Sequence, residues 1–343
     1  MNQAPQQRRG SATPRRIAVI SGGRSSEHDV SLRSGASVAA GLRAAGHEVV
    51  EVLIERDGRW LVGGEEVALR PAGGLLDCEV AFPVLHGPFG EDGTVQGLLE
   101  TLEVPYAGPS VLAAAVAMDK LVCKRLLAFW DLPQVEFCEV GEPGWREHAA
   151  AMPRPLWVKP SRLGSSVGIT RVAGPEAELD RAIELALAHD PRVIVEADAG
   201  GREVECSVIG NTGIGARSTV ETSLPGAIVT KASDWYDFEA KYSEGGMELI
   251  VPAPIGPAAV DRVRELAERV FTAIAGTGLA RCDFFVRDDG EVLVNEINTI
   301  PGFTETSVFG KLFEASGIGY PSLCDRLVQL AIERFEAERG YRF

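Results

Sequence analysis

The chain has 343 residues, of which 45% are hydrophobic and 24% are charged, and its formal net charge is -15. This composition is that of a globular protein with more than one domain, and the acidic balance argues against general nucleic-acid binding, which needs clustered Lys and Arg. No apolar run reaches the roughly 18 residues that span a bilayer, so we expect no membrane association. The six cysteines form no CxxC pair, which disfavours structural zinc or a disulfide framework and favours a reducing cytoplasm.

Polar residues fill the start of the chain. The stretch 1–16 contains four Arg and no apolar segment, so we expect a disordered tail and not a secretory signal. Short apolar strands alternate with helices from Ile17 onward, which predicts an N-terminal α/β domain over 17–112 with a mostly parallel, Rossmann-like sheet. Ligands of such sheets bind at the carboxyl ends of the strands. The loops that begin at Gly22 and His86 fall at such ends.

A second unit is expected over 113–220. It starts with an amphipathic helix from Asp119 to Trp130, whose apolar positions are Leu121, Leu126, Leu127 and Trp130. Strands are predicted at Leu156 to Lys159 and at Arg192 to Glu196, with a helix between them. Further strands, Glu203 to Ile209 and Ile214 to Thr222, give this part an antiparallel, α+β character.

The third unit is expected over 221–343. Its first part contains a polar stretch, 231–246, without periodicity, and a segment of that length is typical of a functional lid or of a disordered loop. A helix from Ala258 to Ala275 leads to two strands, Ala280 to Val286 and Glu291 to Ile297. The Asp-Gly sequence between these strands predicts a hairpin with a two-residue loop.

This hairpin gathers charged side chains on one face. With a two-residue loop, Asp283 lies opposite Glu296 and Arg281 lies opposite Asn298. Side chains alternate across a strand, so Arg281 and Asp283 share one face, as do Glu296 and Asn298 on the partner strand. Facing carboxylates are unfavourable unless something compensates their charge. A hard divalent cation with oxygen ligands would do so. The alternative for this stretch alone is a solvated outer face.

Two other features suggest a nucleotide. The loop from Lys159 to Gly168 is rich in backbone N–H and hydroxyl donors, which suit phosphates, although its spacing is not a Walker A; a plain hairpin with a basic surface is the alternative. Glu196 and Glu203 bracket a Gly-Gly turn and could accept hydrogen bonds from a ribose, but the pair alone is more typical of two exposed glutamates. Likewise, a lone histidine after a strand, such as His86, is more often structural than functional.

Seven motifs together resemble a known family. In chain order they are GGRSSEHDVS from Gly22, HGPFGEDGTVQG from His86, MDK from Met118, KPSRLGSSVG from Lys159, YDFEAKY from Tyr236, RCDFF from Arg281 and NEINTIPGFTETS from Asn295. Their order and approximate spacing resemble those of the D-alanine:D-alanine ligases of the ATP-grasp superfamily, from about Ile17 to the C-terminus. The resemblance implies an ATP-grasp fold, α/β overall and α+β in the ATP-binding part, preceded by the Rossmann-like domain.

The activity that the resemblance implies is ATP-dependent joining of two D-alanine molecules. A D-alanyl phosphate would form first, ADP and phosphate would be released, and the dipeptide would enter peptidoglycan synthesis, which builds the cell wall and sets cell shape. A D-alanine:D-lactate or D-alanine:D-serine ligase is the alternative, although Tyr242 is typical of dipeptide-forming members. A non-catalytic ATP-binding protein is a further alternative. The family is commonly dimeric and cytoplasmic.

The site residues carried over by matching motif fall into three sets. The ATP contacts are Lys120, Lys159, Ser166, Glu196, Glu203 and Lys241. The ligands of two Mg2+ or Mn2+ ions are Asp283, Glu296 and Asn298. The substrate contacts are His86, Ser307 and Val308, and the catalytic residues are Glu27, Ser165, Tyr242, Arg281 and Gly302.

The resemblance also implies individual roles. Glu203 would contact the ribose and Glu196 the adenine amino group. Glu27 would bind the ammonium of the first D-alanine, and Ser165 and Tyr242, hydrogen-bonded with Glu27, would close the lid. Tyr242 with Ser165 is the candidate that accepts the proton of the attacking amine. His86 and Ser307 would lie near the carboxylates of the first and second D-alanine, while Arg281 and the Gly302 N–H would face the oxyanion.

Overall fold

The computed structural model describes residues 13–213, 220–230, 247–304 and 306–341. Most of the predicted tail, 1–12, lies outside these residues. So do the start of the predicted strand from Ile214 and the predicted lid, 231–246, which carries Lys241 and Tyr242. Among the described residues, no helix is long and apolar enough to cross a membrane.

The first sheet is the parallel sheet predicted for the N-terminal domain. Its strands are β1 (Arg16–Gly22), β2 (Glu48–Ile54), β3 (Trp60–Val62), β4 (Glu65–Glu66) and β5 (Val80–Pro83), in the order β4-β3-β2-β1-β5. β1 runs parallel to both β2 and β5, while β3 and β4 add an antiparallel edge. The helices α1 (His28–Ala44) and α2 (Thr94–Thr101) follow β1 and β5. The run Ile17–Ile20 is fully buried because both faces of the sheet are covered.

Two helices, α3 (Val111–Met118) and α4 (Lys120–Phe129), lead out of this sheet. The Asp119 carboxylate accepts hydrogen bonds from the first backbone N–H groups of α4 and caps that helix. The buried positions of α4 are Leu121, Cys123, Lys124 and Leu127. The predicted apolar position Trp130 is wrong: α4 ends before it, and its side chain is 53% exposed. A lysine, Lys124, faces inward instead.

The second sheet is antiparallel. Its strands are β6 (Phe137–Glu139), β7 (Leu156–Pro160), β8 (Thr170–Val172) and β9 (Val193–Ala197), in the order β6-β9-β7-β8. The helices α5 (Trp145–Ala151) and α6 (Glu176–Leu187) share a core with this sheet. The Gly/Ser loop therefore joins two neighbouring antiparallel strands, β7 and β8, and the second of these was not predicted.

The third sheet carries the predicted hairpin. Its strands are β10 (Arg202–Asn211), β11 (Val220–Thr222), β12 (Gly226–Thr230), β13 (Met247–Ile250), β14 (Thr277–Val286) and β15 (Val292–Asn298). The order is β13-β12-β10-β14-β15, with β11 also paired to β10. β10 pairs along its whole length with β14, although it falls in the stretch assigned to the second unit; the domain limits themselves stay predictions.

Three more helices complete the described chain: α7 (Pro257–Ala273), α8 (Val308–Ala315) and α9 (Tyr320–Arg339). α7 packs on the third sheet, where Val263 and Phe271 are fully buried with Cys282 and Phe284 of β14. α8 and α9 instead share a core with β1 and α1. The C-terminal helices therefore fix the first sheet beside the end of the hairpin.

The hairpin loop differs from the prediction. Val286 pairs with Val292, and the Arg287 N–H donates to the carbonyl of Glu291 at 2.9 Å. The loop therefore contains three residues, 288–290, and Gly290 supplies the left-handed conformation (φ 90) that such a loop needs. The predicted two-residue loop is wrong. Asp289 and Gly290 do not form a two-residue type I′ turn by themselves; Gly290 is instead the last residue of a three-residue loop.

The charged pairs are nevertheless those predicted. Asp283 pairs with Glu296 and Arg281 pairs with Asn298. The register shifts between Asp283 and Phe284, where Phe284 pairs with Val294, so β15 holds one extra residue at this bulge. The longer loop shifts the pairing of the two strands by one residue, and the extra residue at the bulge shifts it back. The charged pairs therefore keep the predicted register.

Candidate active site

Two neighbouring cavities lie beside the hairpin. The larger, with a volume of about 420 Å³, lies between the second and third sheets. The smaller, of about 140 Å³, lies between the carboxyl ends of the first-sheet strands and the end of β15. Lys120 and Glu296 line both cavities and form the wall that they share.

All the described residues of the predicted site line these cavities. The larger is lined by Lys120, Lys159, Ser166, Glu196, Glu203, Asp283 and Glu296. The smaller is lined by Glu27, His86, Lys120, Ser165, Arg281, Glu296, Asn298, Gly302, Ser307 and Val308. The structure thus separates the predicted ATP contacts from the predicted substrate contacts. Lys241 and Tyr242 lie outside the described residues.

Glu196 occupies a buried end of the larger cavity. Its side chain is 3% exposed, so the interpretation as an exposed surface glutamate is wrong. One carboxylate oxygen lies 2.6 Å from Lys159 Nζ and the other lies 3.0 Å from Lys124 Nζ. Burial alone would raise the Glu196 pKa, but the two ammonium groups outweigh it and lower that pKa to about 2. Glu196 is therefore an anion at neutral pH.

Apolar side chains surround the space next to Glu196. Val135, Ala199 and Phe285 line the larger cavity and form a small cluster beneath it. Trp157 lies on the same side, and its indole N–H donates to an Asp198 carboxylate oxygen at 2.7 Å. An apolar slot beside an anionic acceptor suits a nucleobase, since bases present a wide apolar face and polar edges.

The charged face of the hairpin lies at the junction of the cavities. Both oxygens of Asp283 accept hydrogen bonds from the Arg281 guanidinium, at 2.7 and 2.8 Å. Arg281 Nε also lies 3.0 Å from a Glu205 oxygen. Glu296 forms a 3.4 Å ion pair with Lys120. These contacts supply the positive charge that the facing carboxylates require.

Glu205 is a residue of this cluster that the sequence prediction missed. It is 4% exposed, lines the larger cavity and pairs with Asp283 across β10 and β14. Glu205 could have been predicted from the sequence, because it is two residues from Glu203 on the same strand and its side chain must lie on the same face.

The donor set of the hairpin fits a divalent cation. Within the described ranges, no three His, Cys, Asp or Glu side chains converge as a complete metal site. Asp283, Glu296 and Asn298 instead offer two carboxylates and one amide oxygen, and the amide oxygen also accepts the Ile300 N–H at 3.1 Å. Mg2+ takes a few protein oxygens and completes its shell with water and phosphate. These residues therefore fit a Mg2+ or Mn2+ site that a phosphate ligand would complete.

The Gly/Ser loop reaches from one cavity to the other. Ser165 lines the smaller cavity and donates a hydrogen bond to Glu27 of the first domain, whereas Ser166 lines the larger. Both residues have left-handed backbone conformations, with φ of 51 and 59. Such conformations are unfavourable for serine and persist where the surroundings require them. Lys120 Nζ holds the same loop by donating to the Leu163 carbonyl at 2.8 Å.

This division gives a paired prediction. Ser165→Ala should raise the KM for the amino-acid substrate about tenfold with little change in the KM for ATP, because one hydrogen bond in the smaller cavity is lost. Ser166→Ala should instead raise the KM for ATP, with little change in the KM for the amino-acid substrate. The two variants are matched controls for each other, since both keep the same backbone conformation. Steady-state kinetics with each substrate varied in turn would test the assignment, and equal effects on both KM values would refute it.

His86 and Glu91 form a largely buried pair in the lining of the smaller cavity. His86 is 4% exposed; its Nδ1 lies 3.0 Å from the Ile300 carbonyl and 3.5 Å from a Glu91 oxygen, and its Nε2 lies 3.0 Å from Ser34 Oγ. Burial would lower the His86 pKa, but the hydrogen bond and charge of Glu91 outweigh it and raise that pKa. His86 thus ties the first domain to the loop that carries Gly302. The sequence prediction named His86 and missed Glu91 and Ser34.

Comparisons with known proteins agree with this geometry. A family model described as D-ala D-ala ligase C-terminus matches residues 126–329, and one described as D-ala D-ala ligase N-terminus matches 16–74 and 66–109. The chain is 43% identical to the D-alanine--D-alanine ligase of Deinococcus radiodurans, covering 93% of this chain and 99% of that one. It is 42% identical to the enzyme of the same name from Solibacter usitatus, covering 96% and 98%.

Solved structures agree as well. The D-alanine-D-alanine ligase from Coxiella burnetii superposes with a TM-score of 0.83 at 31% identity, covering 96% of this chain and 97% of that one. The VanG D-Ala:D-Ser ligase from Enterococcus faecalis gives a TM-score of 0.82 at 31% identity, covering 93% and 100%. The predicted ATP-grasp fold is confirmed. The chain belongs to the D-alanine:D-alanine ligase family.

Proposed function

We propose that this protein is an ATP-dependent ligase that joins two D-alanine molecules into D-alanyl-D-alanine and releases ADP and phosphate. The observation that carries the proposal is the wall formed by Lys120 and Glu296 between the two cavities. A nucleotide in the larger cavity and an amino acid in the smaller would meet at this wall. The curated relatives that match nearly the whole chain support the same activity.

The larger cavity supplies the groups for phosphoryl transfer. Lys159 and Lys120 bring two cations to it, and the loop between β7 and β8 adds backbone and hydroxyl donors for phosphate oxygens. A divalent cation held by Asp283, Glu296 and Asn298 would supply further positive charge to the phosphates when bound. The carboxylate of the first D-alanine would accept the γ-phosphoryl group, which makes its carbonyl carbon reactive toward an amine.

The smaller cavity supplies the groups for amide formation. Glu27, fixed by Ser165, would bind the ammonium of the first D-alanine. The amine of the second D-alanine would attack the acyl phosphate, and the negative oxygen that develops would face Arg281 and the Gly302 N–H. Ser307, whose hydroxyl contacts both the N–H and the hydroxyl of Thr304, would lie near the second carboxylate. The phosphate then leaves as the amide forms.

Phosphate release tests the proposal. ATP with Mg2+ should give D-alanine-dependent phosphate and one dipeptide per phosphate, while L-alanine should give neither. D-Serine and D-lactate belong in the same assay, each with D-alanine, because the structural match to a D-Ala:D-Ser ligase makes the second substrate the point in question. A preference for either over a second D-alanine would overturn the dipeptide assignment, and no phosphate release with any of them would overturn the ligase.

A further inference from the structure

Lys124 is a buried lysine that the proposed reaction does not use. It lies on the inward face of α4, is 3% exposed and lines neither cavity. Its ammonium lies 3.0 Å from a Glu196 oxygen and 5.2 Å from the centre of the Phe137 ring. Burying an ammonium has a large desolvation cost, which a paired carboxylate offsets only in part. A fold that needed only packing at this position would be served by an apolar residue.

Glu196 therefore has two lysine partners with different access to ligands. Lys159 of β7 lines the larger cavity, so a phosphate can draw its ammonium away from Glu196. Lys124 lies behind the carboxylate and cannot reach a ligand there. The residue paired with Glu196 on β6 is the uncharged Phe137, and Glu203 of β10 lines the same cavity as a further negative charge. Lys124 is the cation that stays with Glu196 when a nucleotide engages Lys159.

The consequence concerns which base the cavity accepts. A buried carboxylate without a nearby cation takes up a proton and can then donate a hydrogen bond, whereas the anion only accepts. We propose that Lys124 is a positioning residue that keeps the Glu196 carboxylate anionic and aimed at the base slot, so that the site selects a purine with an exocyclic amino group over one with an oxo group. The inference rests on the proposed function, because it requires a nucleotide in the larger cavity.

The test is nucleotide binding without D-alanine, measured by calorimetry for ATP and for ITP, which carries an oxo group in place of the amino group. Lys124→Met should lower the preference for ATP over ITP by about tenfold or more, the size of one charge-assisted hydrogen bond. The loss should grow as the pH falls from about 8 to about 5.5, because Glu196 then takes up a proton in the variant but not in the wild type. Arg125→Met is the matched control, since it removes a cation of α4 that pairs with Glu139 and Glu142 at the surface.

A purely structural role would weaken ATP and ITP binding equally. The preference of the variant for ATP over ITP would then equal that of the wild type at every pH, and that result would overturn the inference. If Lys124→Met does not fold, the comparison moves to the Glu196→Gln background. There the added Lys124→Met should leave the ATP/ITP preference unchanged, because Lys124 acts only through Glu196; a further change would contradict the inference. D-Alanine-dependent phosphate release by the wild type tests the ligase separately.

Discussion

Glu296→Gln should lower D-alanine-dependent phosphate release by about 10³-fold while the protein stays folded. The Glu296 carboxylate faces Asp283 across the hairpin, pairs with Lys120 at 3.4 Å and lies on the wall between the cavities. The amide keeps the shape of the side chain but removes the charge that a divalent cation and Lys120 both need. Phosphate release at saturating ATP, Mg2+ and D-alanine measures the effect.

Glu291→Gln is the control for this experiment. It makes the same chemical change on the same hairpin, but next to the loop, where Glu291 pairs with Arg287 and is exposed. The control should keep wild-type activity. Circular dichroism and thermal unfolding would establish that both variants are folded. Near-normal activity of Glu296→Gln would mean that the facing carboxylates do not take part in phosphoryl transfer.

Arg281→Lys should lower kcat about 10²-fold with only a small change in the KM for ATP. The substitution keeps the positive charge that Asp283 and Glu205 require, so the fold should persist. It removes the planar group that makes two hydrogen bonds to Asp283 while it faces the smaller cavity. A single ammonium cannot hold both carboxylates and also meet a developing oxyanion.

The two steps of the reaction separate this prediction from a general loss of activity. Because Arg281 lines the smaller cavity, amide formation should suffer more than phosphoryl transfer, and D-alanine should still promote exchange of label between bridging and non-bridging oxygens of ATP. Arg146→Lys is the control and should behave as wild type, since Arg146 pairs at the surface with the carboxylates of Glu176 and Asp180 and lines neither cavity. Equal loss of both steps in Arg281→Lys would remove Arg281 from a specific role in amide formation.

The hairpin shows how far the sequence could predict the site. The assumed loop length led to the correct pairing of Asp283 with Glu296, and the turn signal correctly placed the hairpin. The number of loop residues was wrong, and so was the implied regular pairing up to the charged end. A β-bulge has no strong local sequence signal, because it depends on how two strands twist together. The correct register therefore came from two differences that cancel.

Burial was harder to predict than motif positions. Glu196 resembled a surface glutamate because a single strand does not show that ammonium groups from α4 and β7 meet there. Lys124 was missed in a similar way, since apolar periodicity placed Trp130 on the buried face of α4 and did not identify the buried lysine. Both errors have the same cause. An ion pair between distant segments can stabilise a charge inside the protein, and the hydrophobic pattern of one segment contains no information about such a pair.

Oxygen transfer from the substrate would show whether an acyl phosphate forms. In the proposed reaction, the D-alanine carboxylate accepts the γ-phosphoryl group at the wall between the cavities, and phosphate leaves when the amide forms. D-Alanine labelled with 18O in its carboxylate should therefore transfer one labelled oxygen to the released phosphate for each D-alanyl-D-alanine formed, as mass spectrometry of both products would show. Dipeptide accompanied by unlabelled phosphate would contradict an acyl phosphate intermediate.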